Sequence, residues 1–304
     1  MSLANPKIES SNQIVQDEKQ FHIQSRAAVV WKRYKKNKLA VVGLIVFILI
    51  VLMAVFAPLI SPHKPDVYDV LNANIAPNKN FPFGTDAMGG DVMSRAFYGG
   101  RISLTVAFAA MLCTVSIGVI YGAVAGFFGG VIDNAMMRII DAIQSIPTFF
   151  LLLIVASIMV PTIWSTILVL SIFGWTNMAR IVRGEILSLK TRDYIEAARA
   201  TGETNRSIIF YHIIPNAIAP IIVIATLDIA SIILQEAGLS FLGLGIQPPV
   251  PSWGNMLTAA QDLTSIIDYT WTIIFPGAFI IITVLCINFI GDGLRDAFDP
   301  RQKH

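Results

Sequence analysis

The sequence predicts an all-α fold of six membrane-spanning helices, and three observations carry that prediction. Hydrophobic residues make up 55% of the 304 positions, charged residues only 14%, and the mean hydropathy is +0.66. That is more apolar surface than one water-soluble core can hide. The apolar residues also fall in long runs, and a chain inside hydrocarbon must satisfy its own backbone hydrogen bonds. No alternating ten-residue pattern of the kind a barrel needs is present, which leaves helices.

Residues 1–24 are polar and weakly patterned, which predicts a loosely ordered tail. Because about 25 polar residues precede the first apolar run, a cleavable signal is not expected. From residue 25 to 38, Ala27, Val30, Trp31 and Tyr34 recur at helical spacing beside Arg26, Lys32, Arg33, Lys35, Lys36 and Lys38. This segment reads either as an amphipathic helix on the cytoplasmic membrane surface or as a basic flank before the first span. Residues 1–38 thus form a tail and helix ahead of the membrane.

The run 39–60 is apolar throughout and long enough to cross a hydrocarbon layer of ~30 Å at ~1.5 Å per residue. Residues 61–100 are rich in Pro, Gly, Asn and Asp, which predicts an ordered extracytoplasmic loop. Further spans are expected near 102–126, 138–160, 162–183, 213–235 and 270–291, the core running from 101 to 292, with a short cytoplasmic tail over 293–304. In the second span Gly118, Gly122 and Gly126 form a small-residue stripe that lets two helices approach closely. Pro147 and Pro161 bracket the third, where a proline marks a bend.

Charge reports orientation. Six Lys and Arg lie in residues 26–38 and four in 184–212, with none in 236–269, so both termini are expected in the cytoplasm. The net charge of +2 is too small to suggest a nucleic-acid partner. Cys113 and Cys286 both sit in apolar runs and read as small buried residues, with no disulfide or metal site. His63 and His212 stand apart from other ligand-type residues, so neither suggests a metal site.

Four polar residues fall within or near the spans: Asp141, Asn177, Asp228 and Asn288. A polar group at that depth is costly and faces either a helix partner or a water-filled path, and both readings stand for these four. In the 61–100 loop, Asp86, Asp91 and Arg95 predict an internal ion network, since no histidine or cysteine accompanies them as a metal ligand would.

The most informative segment is 184–212, too polar to span and too long for a plain connection. Tyr194, Ala197, Ala198 and Thr201 fall on one helical face, Gly202 ends the helix as a left-handed cap, and a second short helix near 204–211 should lead to Pro215. Small Ala197 and Ala198 allow another surface to come close, and Glu196 offers a charge to a partner arginine. These are the features of a docking helix. No GxxxxGK[ST] loop occurs anywhere, so the chain has no recognisable cradle for ATP phosphates.

Here the sequence resembles the membrane subunits of ATP-binding-cassette importers, whose signature is EAA, three residues, Gly, nine residues, then Ile, one residue, Leu and Pro. Glu196, Ala197, Ala198, Gly202 and Pro215 match that spacing, with His212 and Ile214 at the Ile and Leu positions. The likeness runs from about Lys35 to Arg301 and is narrower than the superfamily: it resembles the C-type permease of dipeptide, oligopeptide and nickel importers. Carrying residues are Phe83, Gly84, Thr85 and Asp86, with Asp91, Ser94, Arg95, Gly100 and Arg101; Arg138, Asp141 and Pro147; Ala179 to Gly184; EAGLSFLGLGIQPPVPSW from Glu236 to Trp253; and Gly291 to Asp296 with Asp299 and Pro300. Gly90 departs from the arginine usual there.

The resemblance implies a type I importer fold in the bacterial inner membrane. It implies a second homologous permease, two ABC ATPases and an extracytoplasmic solute-binding protein as partners, with ATP and Mg held by the ATPases and no cofactor on this chain. Tyr194, Glu196, Ala197, Ala198, Gly202 and Pro215 would couple it to the ATPases. Peptides outrank nickel or metal chelates as cargo on the resemblance alone. The rivals from other classes are an ion-coupled secondary transporter, which should show inverted repeats and broken helices, and an intramembrane enzyme, which needs a nucleophile or metal cluster.

Overall fold

The computed structural model describes residues 26–299; the expected loose tail over 1–24 and the end of the chain from Pro300, including Arg301, lie outside the described residues. Among the described residues the chain is helical, and the single extended pairing is an isolated bridge between Thr85 and Asp91. Five helices among the described residues are long and apolar enough to cross a membrane, and a bent pair of helices passes the same test of length and composition when taken together.

Helix α1 (Arg26–Tyr34) ends in a short turn, and Asn37 then caps α2 (Lys38–Val55) by accepting a hydrogen bond from the Ala40 amide at 3.1 Å. The expected first span, 39–60, is thus shorter than its apolar run. Pro58 has no amide to continue the ladder, so residues 57–60 form a separate turn after Phe56.

Helix α3 (Val92–Phe128) is 37 residues long, about 55 Å at ~1.5 Å per residue, well beyond the ~30 Å hydrocarbon layer. It begins ten residues before the predicted start, inside the expected 61–100 loop. Its cap is Asp91, whose carboxylate accepts from the Met93 and Ser94 amides. Gly99 and Gly100 are packing sites and not loop breakers: a Cβ on Gly100 would lie 2.7 Å from the Trp253 ring.

Helix α4 (Gly130–Gln144) and α5 (Thr148–Ile158) replace the expected single span at 138–160, bent by 78° at Pro147. Thr162 and Ser165 form a reciprocal capping box that starts α6 (Ile163–Leu189). This helix runs past the expected end at 183, so the first six residues of the predicted 184–212 loop are its last turns. Helix α7 (Asp193–Ala200) follows.

The expected separate helix at 204–211 is instead the foot of a 37-residue rod, Asn205–Phe241, which passes through a π-helical stretch (Ile208–Ile213) into α8 (Ile214–Phe241). Pro215, lacking an amide, coincides with the widened turn, and Asn216 donates its side-chain amide to the His212 carbonyl at 2.5 Å. Helix α9 (Trp271–Phe298) outruns its expected end at 291, taking residues 293–298 out of the predicted tail.

The tightest helix pairing is α3 on α6. A Cβ on Gly118 would lie 2.6 Å from Met178 Cβ, one on Gly122 2.4 Å from the Ala179 carbonyl, and one on Gly126 2.9 Å from Ile186 Cβ. The glycine stripe is therefore the seam on which the bundle closes. Around it, Leu104, Ala107, Leu152, Leu170, Ile233 and Trp253 form the main core. Cys286 is buried as expected, but Cys113 is exposed, on the outer face of α3.

One end of the bundle carries the ordered 61–91 loop and the 242–270 segment. There Trp271 donates to the Thr85 carbonyl at 3.0 Å and Phe83 stacks on Phe275 with centroids 3.9 Å apart. The other end carries α1, the end of α9 and α7, with Arg33 donating to the Asp299 carbonyl at 3.0 Å.

Gly122→Val should destabilise the protein by about 1–3 kcal/mol or more through overpacking at the seam. Gly184→Ala on the same helix pair, where a Cβ meets nothing within 4 Å, should be neutral or stabilising. Thermal unfolding of the purified variants in detergent checks this, and equal melting temperatures for the two would contradict the seam.

Candidate coupling site and pathway residues

Helix α7 has Asp193 and Glu196 in its first turn and Arg199 in its last, the arrangement that suits the helix dipole. At eight residues it is too short to persist alone in water. Two side chains hold it down: Ile195 and Ala198 are buried in a second core with Phe127, Ile208, Ile213 and Ala217. The Arg199 guanidinium lies 5.4 Å from the Phe127 ring centroid. Ala198 therefore faces inward, away from the surface on which it was expected. Tyr194, Glu196 and Ala197 face outward; the Glu196 amide bonds the Arg192 carbonyl at 3.3 Å, while its carboxylate has no hydrogen-bond or ion-pair partner among the described residues.

Gly202 terminates α7 at φ +80°. Its amide bonds the Arg199 carbonyl at 3.0 Å and the Glu203 amide bonds the Ala198 carbonyl at 3.1 Å, which is the Schellman pattern. A Cβ at Gly202 would meet no atom within 4 Å, so the demand for glycine comes from the backbone alone. Glu203 then accepts from Ser207 Oγ at 2.8 Å and pairs with His212 Nε2 at 3.0 Å. The Ser207 hydroxyl first, and His212 second, hold its carboxyl below the usual carboxylate range. His212 is thus a clasp between the turn and the start of α8. Pro215 is exposed near the foot of α8, beyond the π-helical turn.

The polar residues of the spans separate into different settings. Asp141 is exposed and pairs with Arg180 at 2.8 Å. Asp228 and Asn177 line one cavity of about 200 Å³ with Gln144, Thr176, Ser231 and Gln235, between α3, α4, α5, α6 and α8. Gln144 donates to Thr176 there at 3.1 Å, while one carboxylate oxygen of Asp228 is buried with no hydrogen-bond partner. Asn288, on α9, is not part of this lining.

In the opposite loop, Arg95 pairs with Asp86 at 3.3 Å and donates to the Tyr68 hydroxyl at 2.6 Å. Asp91 is outside that pair: it caps α3, accepts from Ser94 Oγ at 2.6 Å and meets His63 Nδ1 at 3.2 Å. The expected network is two adjacent clusters. Among the described residues, no three His, Cys, Asp or Glu side chains are grouped as a metal would require.

Two polar centres were not anticipated from the sequence. Arg183 forms a two-pronged ion pair with Asp133, joining α6 to α4. Glu236 is fully buried and accepts from Ser103 Oγ at 3.0 Å and Ser240 Oγ at 2.8 Å, while Ser103 Oγ accepts from the Trp253 amide. Glu236 did leave a signal, as the only acidic residue between Asp228 and Asp262. Asp133 and Arg183, fifty residues apart, left none.

Comparisons with known proteins agree along most of the chain. Residues 118–304 match the family described as "Binding-protein-dependent transport system inner membrane component", and residues 25–77 match the "N-terminal TM domain of oligopeptide transport permease C". The "Oligopeptide transport system permease protein OppC" of Bacillus subtilis (strain 168) is 41% identical over 285 residues, covering 92% of this chain and 93% of that protein. The "Dipeptide transport system permease protein DppC" of the same organism is 43% identical over 274 residues, covering 90% and 85%. Among solved structures, a chain of the inward-facing MetNI methionine ABC transporter (CY5 native crystal form) aligns with a TM-score of 0.56 at 22% identity, covering 68% of this chain and 98% of that one. That likeness supports the fold. The match over residues 118–304 and the identity to full-length permeases together make this chain a member of the family of inner membrane components of binding-protein-dependent transport systems.

Proposed function

We propose that the chain is one of two homologous permease subunits of an importer for dipeptides or oligopeptides in a bacterial inner membrane, coupled to its ATPases through α7. As an ABC importer permease it is a transport subunit, and ATP hydrolysis lies with partner subunits. The observation that carries the coupling assignment is the outward face of Tyr194, Glu196 and Ala197 on a helix anchored by Ile195 and Ala198 and closed by Gly202. The peptide assignment follows from the oligopeptide and dipeptide permeases to which the chain is similar. Two ATPases below and a solute-binding protein above complete the assembly.

On this reading, closure of the ATPases with ATP bound moves α7. Its turn is tied to the rod 205–241 by Glu203 and His212, so the displacement passes into α8, which lines the polar cavity. The end that carries α7 is cytoplasmic, since Lys32, Arg33, Lys35, Lys36, Lys190, Arg192, Arg199 and Arg206 gather there.

Three measurements test this reading. Gly202→Val should cost about 1–2 kcal/mol at the turn by penalising the left-handed conformation, whereas Gly202→Asn, which tolerates it, should retain most activity. Glu196→Lys should act on the surface alone. In the reconstituted complex, G202V and E196K should cut uptake severalfold or uncouple hydrolysis from loaded binding protein. Normal uptake with normally regulated hydrolysis in both would refute the coupling role.

For orientation, a probe at Asn255 would fail because that residue is buried, with its side chain bonded to the Ile246 and Val250 carbonyls. Leu71, 94% exposed, and Thr191, also exposed, are the better pair. On a cysteine-free background, L71C on intact spheroplasts should react with an impermeant maleimide and T191C should not; the reverse pattern would invert the topology.

Finally, the purified chain should bind no nucleotide at micromolar ATP, because it lacks a phosphate-binding loop. Stoichiometric binding by equilibrium dialysis would contradict the division of labour between subunits.

A further inference from the structure

We propose that the cavity around Asp228 is a cation-accepting station of the pathway that receives the protonated amino group of the passing solute. This deepens the peptide-importer reading and rests on it for the identity of that solute.

The carboxylates of the bundle set the contrast. Asp133 is held by Arg183, Asp141 by Arg180, and Glu236 by the hydroxyls of Ser103 and Ser240. Asp228 differs: it is the only carboxylate among the described residues with a buried oxygen that lacks a hydrogen-bond partner. An ionisable group at that depth is costly, and where no protein partner meets it a pathway role is the physical alternative. The surroundings specify the charge of the ligand. Asp228 is the only ionisable side chain in the lining, so the cavity holds one formal negative charge and no positive one.

Around it, Asn177, Gln144, Thr176, Ser231 and Gln235 supply neutral oxygens. A primary ammonium has three donors and no acceptor; one can meet the carboxylate in a charge-assisted bond and the others amide or hydroxyl oxygens. About 200 Å³ is several times the ~30 Å³ share of a water molecule, room for an amino terminus with its first side chain or bridging water. The position fits a pathway as well. The cavity lies where the span of α4 and α5 is broken by 78° at Pro147, and interrupted helices at membrane depth border cavities.

The test has a labelling arm that does not depend on the solute and a transport arm that does. Ser231 lines the same cavity one turn from Asp228. In the complete reconstituted complex, on a cysteine-free background, S231C is treated with an ammonium-bearing and a sulfonate-bearing methanethiosulfonate. The ratio of their rates should be at least tenfold higher with Asp228 present than with Asp228→Asn, and trialanine delivered by loaded binding protein should slow the ammonium reagent. In the transport arm, D228N should lower trialanine uptake at least tenfold, with assembly and binding-protein-stimulated hydrolysis kept, and Asp228→Glu should restore part of the uptake. An unchanged labelling ratio between Asp228 and D228N overturns the cation site, including the case in which another subunit neutralises Asp228. A clear ratio with uptake by D228N within twofold of wild type overturns its role toward the solute. If the wild-type complex imports no trialanine although its binding protein holds it, the peptide reading fails, while a clear labelling ratio still upholds the cation site.

Discussion

The close approach of α3 and α6 along Gly118, Gly122 and Gly126 is the contact on which the rest of the arrangement depends. Between helices in lipid there is no hydrophobic drive to associate, so packing and hydrogen bonding must hold them, and three missing side chains let the two backbones come within van der Waals range. With α6 seated in this way, Arg183 reaches Asp133 on α4 and Lys190 donates to the Gly126 carbonyl at the end of α3 at 2.9 Å. The chain leaving α6 is thereby delivered under Phe127, where Ile195 and Ala198 dock. A bulkier seam would move α7 as well as the helices that form it.

Polar groups inside the bundle divide by how their cost is met. Glu236 ties α3 to α8 and, through Ser103, to the Trp253 segment; removing one hydroxyl would strand a buried carboxylate oxygen, a loss of about 1–3 kcal/mol or more for a charged group. Asp133 and Arg183 satisfy each other. These fully partnered centres tie neighbouring helices together at two levels of the bundle. Asp228 sits between them on α8 without that closure, at the level where the α4–α5 span is broken.

The rod from Asn205 to Phe241 links these regions mechanically. Asp228 lies 23 residues along it from Asn205, about 35 Å at ~1.5 Å per residue, and Glu236 two turns further. The π-helical turn at Ile208–Ile213 is where this rod departs from regular geometry, between the α7 turn and the membrane. Turns of this kind are rare and occur mostly as single insertions in α-helices, frequently at functional sites.

Much of this was legible in the sequence because the physics involved is local. Long apolar runs fix spans, Gly202 at a left-handed turn marks the end of α7, and the EAA spacing with Gly202 and Pro215, together with the other motifs, marks the family. Membership in a binding-protein-dependent family with a type I importer fold also decides against the secondary transporter and the intramembrane enzyme. What the sequence could not decide involves partners far apart in the chain. The ten early residues of α3 were assigned to the loop because they adjoin a stretch rich in Pro, Gly, Asn and Asp, and only the packed structure sets Trp253 against Gly99 and Gly100. Pro147 marked a bend in the sequence, but not that it would divide the 138–160 span into two helices at 78°, and Ala198 turned inward because the second core, not the helix itself, chooses the buried face. The difference between Asp141 and Asp228 is of the same kind: both are single carboxylates among apolar residues, and only the packed bundle brings Arg180 to one and leaves an oxygen of the other unmet. By itself, then, the sequence determined most of the helices and the Gly202 turn, since these follow from local propensity, and through its spaced motifs the family; the tertiary structure alone decided which polar groups are satisfied, since that depends on what long-range packing places within about 3 Å of them.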